Sequence, residues 1–382
     1  MNICIVGDNI ISSLGMTTEE NICAIRQGIS GVRQYNDYLG VTEPYAASVV
    51  NDLLLASYCN TLHISSEKFT RFERMLMVSI ALASEGNRSL LASKRTLFVF
   101  STTKGNVELL DNEPLQEKFG REALFLWHSA KKMAAFYGNP NEPVVVSNAC
   151  ISGVAAQIVA KRFLTTDLYD TAVVVGGDVL SKFVVSGFQS FKAISTSRCK
   201  PFDAERCGLN IGEGAGTIIY KKIEAGDDKQ YVKLEAGAIT NDANHISGPS
   251  RTGEGLYLAL NQILQNGSHK AIRFINAHGT ATLYNDEMEA LAISRAGCLS
   301  IPVFSLKAYI GHTLGASGVI ETVVSAHALQ EGFIPHSLGY EQLGVSLKVN
   351  IVTQQETIIP RGECIKTVSG FGGCNAAIRL KL

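Results

Sequence analysis

The chain lacks an excess of charge of either sign: 34 Lys and Arg stand against 35 Asp and Glu, a net charge of −1 over 382 residues. Totals so balanced leave no electrostatic footprint for nucleic acid or an anionic membrane, although a local basic face stays open. No apolar run approaches the roughly 18 residues of a membrane span. Residues 1–15 lack the basic start of a secretion leader and carry Asp8 inside their apolar stretch. The nine cysteines are odd in number and form no Cys-x-x-Cys pair, in a chain too long to need disulfide staples. A cytoplasmic, reducing setting is expected. Also missing are the Lys-Ser/Thr that would make a phosphate loop of GEGAG (212–216) and any close His/Cys ligand pair for zinc.

What is present is an apolar chain, 46% hydrophobic, long enough for one large α/β unit or two domains. Asn2–Val6 reads as a strand, followed by a helix capped by Thr17 or Thr18. Residues 31–62 show no clear period. Ser65 or Ser66 is expected to cap a helix running through Phe72, Met75, Leu76 and Ile80, whose other face carries Lys68, Arg71 and Arg74. Those three are a solvated face or a dock for an acidic partner. Thr96–Phe100 reads as a buried strand, and Arg121–Tyr137 as a helix with Trp127 in the core. Val144–Val146 then leads, at Cys150, into the small-residue helix of ACISGVAAQIVA, and Thr171–Val175 is again strand.

After a charged linker at 221–230 the order of signals repeats. Tyr231–Leu234, Ala271–Ile275, Pro302–Phe304 and Cys364–Val368 echo the four earlier strands, and HTLGASGVIETV echoes the helix after Cys150. The expected organisation is therefore two similar βαβ-rich halves, 1–225 and 226–382. Such pseudo-symmetry would bring Cys150 opposite the loops around His278 and His312.

A free cysteine is most often a small core hydrophobe, so context has to decide for Cys150. It sits at a strand-to-helix turn, where the helix N-terminus favours an anion and should make the thiol easier to ionise. His278 stands at a strand end in FINAHGTATLYNDE, and His312 at the mouth of the second small-residue helix, five residues after Lys307. The other histidines read as surface or satisfied residues, except His245 in a Gly/Pro loop, which stays open. One thiol with two neutral histidines suits acyl-thioester chemistry: the thiolate takes an acyl group, and two N–H donors stabilise an enolate.

Five ordered motifs, SNACISGVAA, PFDAERCGLNIGEGAG, NAHGTAT, KAYIGHTLGASG and SGFGGCNAA, together resemble the β-ketoacyl-acyl-carrier-protein synthases over nearly the whole chain. The resemblance implies a thiolase-like α/β fold, duplicated into a five-layered α/β/α/β/α arrangement and usually dimeric. It implies decarboxylative condensation of an acyl group on Cys150 with malonyl-acyl-carrier protein, in fatty-acid or polyketide synthesis, without metal or dissociable cofactor. By the same resemblance His278 and His312 assist decarboxylation, Lys307 supports His312, and Glu321 is the structural acid. Phe371 is the gate, whose N–H with that of Cys150 forms the oxyanion hole; Thr280 and Thr282 hold the pantetheine arm. Lys68, Arg71 and Arg74 lie where relatives dock the acidic carrier protein.

Two other readings stay open: a non-catalytic chain-length partner in a ketosynthase heterodimer, and a thiolase acting on acyl-CoA. Short segments at 106–143 and 196–201, Lys104 in the turn STTKGN, and Cys207 and Cys374 all depart from the family pattern. If Lys104 lines the acyl tunnel, a long saturated chain would fit it poorly.

Overall fold

The computed structural model describes residues 1–228, 230–264 and 269–382, so that Lys229 of the expected linker lies outside the described residues. Five strands form the sheet of the first half: β1 (Asn2–Ile11), β2 (Thr96–Ser101), β3 (Val144–Val146), β4 (Thr171–Asp178) and β5 (Gly214–Ile223). Five more form the second: β6 (Lys233–Asn241), β7 (Ile272–Asn276), β8 (Val303–Phe304), β9 (Glu363–Gly370) and β10 (Cys374–Lys381). The spatial order is β3-β2-β4-β5-β1 in one and β8-β7-β9-β10-β6 in the other, the same topology twice. In each, the second strand runs parallel to its two neighbours and the last three alternate antiparallel. The two sheets touch edge to edge at one point, where the Ile5 N–H donates to the Val232 carbonyl at 2.9 Å beside the pair Cys4–Lys233.

Six helices complete the layers: α1 (Arg71–Ala83), α2 (Leu126–Phe136), α3 (Ser152–Leu164), α4 (Glu254–Leu264), α5 (Leu283–Arg295) and α6 (Ser317–Glu331). Helices α3 and α6 each contact strands of both sheets and so form the middle layer. α1 covers the outer face of the first sheet, α4 that of the second, with α2 and α5 beside them. A helix buried on all sides has to be apolar or small all round. In α6 Ser317 to Ala326 are entirely buried, and the one charged side chain among them, Glu321, is ion-paired.

The two middle helices open with the same tripeptide, Ser152-Gly153-Val154 and Ser317-Gly318-Val319, and they meet there. A Cβ on Gly318 would lie 2.5 Å from the Val154 nitrogen, and one on Gly153 would lie 2.9 Å from the Val319 nitrogen. Only glycine lets the backbones approach so closely. This crossing sets the distance between the two strand-helix turns that carry the chemistry.

Some local expectations are corrected. Thr70, not Ser65 or Ser66, caps α1, because Glu73 reciprocates its bond in a capping box. The stretch 31–62 holds strands Val32–Tyr35 and Tyr45–Ser48 and the helix Asp52–Thr61, each too short to show a period. The helix expected over 121–137 is a 3₁₀ turn, Arg121–Leu124, followed by α2. Trp127 at its start is 51% exposed instead of buried, stacked on Phe125 with ring centroids 6.1 Å apart. Among the described residues no helix is long and apolar enough to cross a membrane.

Candidate active site

β3 delivers the chain to a tight turn. Ala149 takes φ +44°, a strained conformation for a non-glycine residue, and Ser152 pins the turn by accepting from the Asn148 N–H at 2.8 Å and donating to the Ala149 carbonyl at 2.6 Å. Cys150 follows at the mouth of α3, 8% exposed. The expectation of an easily ionised thiol is corrected. Burial pushes Cys150 up to about 12, the neighbouring Cys374 thiol adds to this, and the Lys307 and Lys104 ammoniums and the Phe371 N–H pull only partly the other way.

His278 follows β7. Its N–H donates to Glu289 Oε1 at 2.9 Å and the Gly279 N–H to Oε2 at 2.6 Å, so one buried carboxylate on α5 holds the backbone of the loop. The His312 N–H donates to the Asn210 carbonyl at 2.7 Å, and its Nδ1 lies 3.1 Å from Ser317 Oγ on α6. His278 Nδ1 and His312 Nε2 are buried without a hydrogen-bond partner. The rings meet edge to face, 5.0 Å between centroids. One ligand atom each from Cys150, His278 and His312 lie within 4.8 Å of one another.

Burial, followed by the Lys307 charge, holds both histidines well below the usual histidine range, so both are neutral at pH 7. The trio has the ligand types of a zinc site. Two ammonium groups behind the histidines, with Glu321 between them, make a poor setting for a divalent cation.

Those ammoniums belong to Lys307 and Lys366. Glu321 is ion-paired to Lys307 through Oε1 and to Lys366 at 2.7 Å through Oε2, all three side chains fully buried. Burial alone would raise Glu321, but the two lysines hold it below the usual carboxylate range. The influence of Lys307 on His312 is through charge. Lys366 and Glu289 were not anticipated. The only signal for Glu289 was its place three residues after Asp286 in the NDE that follows NAHGTAT.

A cavity of about 470 Å³ opens from this cluster, with Thr280, Thr282, His245 and Phe371 in its wall. The two threonine hydroxyls are 2.9 Å apart. The Phe371 ring lies against Phe188 and Phe191, at 5.6 and 5.3 Å. Lys104 is half-buried, and its N–H is bound by Asp178 at 3.1 Å. The basic triplet is no single solvated face: Lys68 is exposed, but Arg71 turns inward to Glu213 at 2.7 Å and Asp52 at 2.7 Å, and Arg74 is half-buried.

A duplicated α/β core in which the turns before the two middle helices and the loop after β7 bring one thiol and two neutral histidines to a shared cavity defines the thiolase-like class. Sequence comparison narrows it. Residues 1–225 match the beta-ketoacyl synthase N-terminal domain and residues 231–341 its C-terminal domain, so the chain belongs to the beta-ketoacyl synthase family. It is 33% identical over 260 residues to 3-oxoacyl-(acyl-carrier-protein) synthase 2 of Rhizobium meliloti, covering 63% of this chain and 61% of that protein. Against the Synechocystis protein of the same name it is 32% identical over 258 residues, with 63% and 61% covered. These matches span about three fifths of the relatives' length.

Among solved structures, a beta-ketoacyl synthase from Burkholderia phymatum superposes with a TM-score of 0.89 at 21% identity, covering 100% of this chain and 99% of that one. The ketosynthase ApeO of Xenorhabdus doucetiae, solved with its chain length factor ApeC, gives 0.87 at 22%, covering 100% and 98%. At such identities the likeness establishes the fold.

Proposed function

We propose that this protein condenses an acyl group carried on Cys150 with a malonyl thioester presented by an acyl carrier protein. The observation that carries the reading is the convergence of the Cys150 sulfur and two neutral histidines within 4.8 Å at the head of one cavity. In the first half-reaction the sulfur attacks the acyl thioester carbonyl, the acyl–sulfur bond of the donor breaks, and the carrier thiol leaves with a proton. In the second, the malonyl group loses carbon dioxide, and His278 and His312 donate hydrogen bonds to the enolate oxygen. The enolate carbon attacks acyl-Cys150, the C–S bond breaks, the Cys150 sulfur leaves and takes a proton from water, and the β-ketoacyl group remains on the carrier. In this reading the N–H groups of Cys150 and Phe371 hold the oxyanion, Lys307 and Glu321 set the field around His312, and Thr280 and Thr282 bind the pantetheine arm.

The carrier protein would meet Lys68 as the exposed member of the basic triplet, with Arg71 tied to Glu213. A dimer, with a second copy or another ketosynthase subunit, is supported by the half-buried edge strand β3 and the exposed Trp127 on the helix packed beside it. The free cysteines fit a cytoplasmic location. Incubation with an acyl thioester should add one acyl mass at Cys150 by peptide mass spectrometry. An unmodified Cys150 in folded protein would refute the reading.

A further inference from the structure

We infer that Lys366 is a positioning residue for the two histidines, acting through Glu321 and through the strand end that carries His278; this rests on the condensing reading above. Lys366 lies on β9 between Ile365 and Thr367, fully buried. Its ammonium reaches Glu321 Oε2 at 2.7 Å and donates to the carbonyls of Asn276 at 3.2 Å and Ala277 at 3.1 Å. Those are the last carbonyls before His278. The next residue, Thr367, donates to Glu289 Oε1 at 3.0 Å, and Glu289 in turn holds the N–H groups of His278 and Gly279. Two consecutive side chains of β9 therefore fix the His278 loop from both sides, one by its carbonyls and one by its amides.

Stability alone does not account for a lysine at this position. Lys307 already neutralises Glu321, and a buried ion pair is often no more stable than an apolar replacement of the same volume. Burial lowers Lys366 to about 8, which is unfavourable for a charged group and marks the site as held against that tendency. The groups facing it are Glu321 on α6, Glu289 on α5, Lys307, and the two histidines, both of which its charge helps to keep neutral. Aligned, uncharged imidazoles serve the malonyl half-reaction, in which they donate to an enolate. Acyl transfer to Cys150 depends instead on the sulfur and the two N–H groups of the oxyanion site.

The test separates the halves. In full-length Lys366→Met, Cys150 acylation by acetyl and hexanoyl thioesters is timed by mass spectrometry, and carbon dioxide release from malonyl-acyl-carrier protein is measured alongside. The expected result is a loss of about 100-fold in kcat for decarboxylation, the scale of a small misplacement of catalytic groups. KM and the acylation rate should each stay within about threefold. Equal loss in both halves, or loss in neither, overturns the inference. If Lys366→Met does not fold, Lys366→Gln is measured in the same way; failure of both to fold assigns Lys366 to folding and overturns it equally. Wild-type protein that acylates but never releases carbon dioxide would instead refute the condensing reading, and the inference with it.

Discussion

Gly318→Ala tests whether the glycine crossing of the two middle helices sets the geometry of the site. The added Cβ would stand 2.5 Å from the Val154 nitrogen and 2.9 Å from the Gly153 carbonyl carbon, about an ångström inside contact and against backbone on both counts. Neither atom is the end of a flexible side chain, so the helices have to part. Overpacking costs about 1–3 kcal/mol, and rigid backbone neighbours place this case at the upper end. Alanine returns up to about 1 kcal/mol in helix propensity, which leaves roughly 2 kcal/mol of destabilisation. Cys150 lies three residues before Gly153 and His312 six before Gly318, so separation of the helices moves thiol and imidazole apart. Loss of about 100-fold in condensation is expected from a displacement near 1 Å. The assays are thermal unfolding and turnover with acyl and malonyl carrier proteins. Gly187→Ala is the control, since nothing lies within 4 Å of its Cβ and its φ is ordinary; it should be neutral or slightly stabilising. A Gly318→Ala protein with unchanged melting and turnover within threefold of wild type would refute the argument.

Two further outcomes follow from buried or paired carboxylates. Asp178 accepts from the hydroxyls of Thr102 at 2.7 Å and Thr103 at 2.9 Å and from the amides of Thr103, Lys104 and Gly315, so Asp178→Ala orphans five donors. A shift in denaturation midpoint worth at least roughly 3 kcal/mol is expected, with the loop beside Cys150 loosened. His327, paired with Asp8 at 3.1 Å and Glu331 at 3.2 Å, is raised to about 9 although burial opposes it. A raised histidine contributes stability that is complete below its unfolded value near 6.5 and is lost as pH climbs through 9. Asp8→Asn should therefore be less stable than wild type at pH 6, with the gap in urea midpoint closing by pH 10.

The duplicated strand order was legible because each half repeats the same succession of apolar runs, and a threonine cap because Thr17 and Thr18 stand before two glutamates; the reciprocal bond of Glu20 in the structure selects Thr17. The thiol and both histidines were legible because each stands in a glycine-flanked motif. What sequence did not show depends on partners far along the chain. Arg71 reads as one of three surface bases until Glu213, 142 residues away, takes its guanidinium. Lys366 has no motif; its meaning comes from Glu321 on α6 and from carbonyls 89 and 90 residues distant. Trp127 shares the helical period of Ala130 and Ala134, which are buried, yet it stands in the first turn of α2 and is exposed, which a pattern of one chain cannot distinguish.

The thiol shows the same limit in electrostatic form. A helix N-terminus lowers a cysteine by a local effect visible in sequence, whereas burial raises it by an amount only the assembled middle layer determines. Here burial raises Cys150, so the thiol is the favoured form before substrate arrives. In the proposed reaction attack therefore cannot wait for a preformed anion; the proton has to leave sulfur as the thioester arrives. The departing carrier thiol is the group that takes it, while His278 Nδ1 and His312 Nε2, buried with no hydrogen-bond partner, are left for the malonyl half-reaction. The same desolvation that keeps the thiol protonated keeps the histidines unprotonated, since burial penalises charge of either sign. One physical cause thus keeps thiol and imidazoles in their neutral forms together, and it exists only because α3 and α6 are sealed between two sheets.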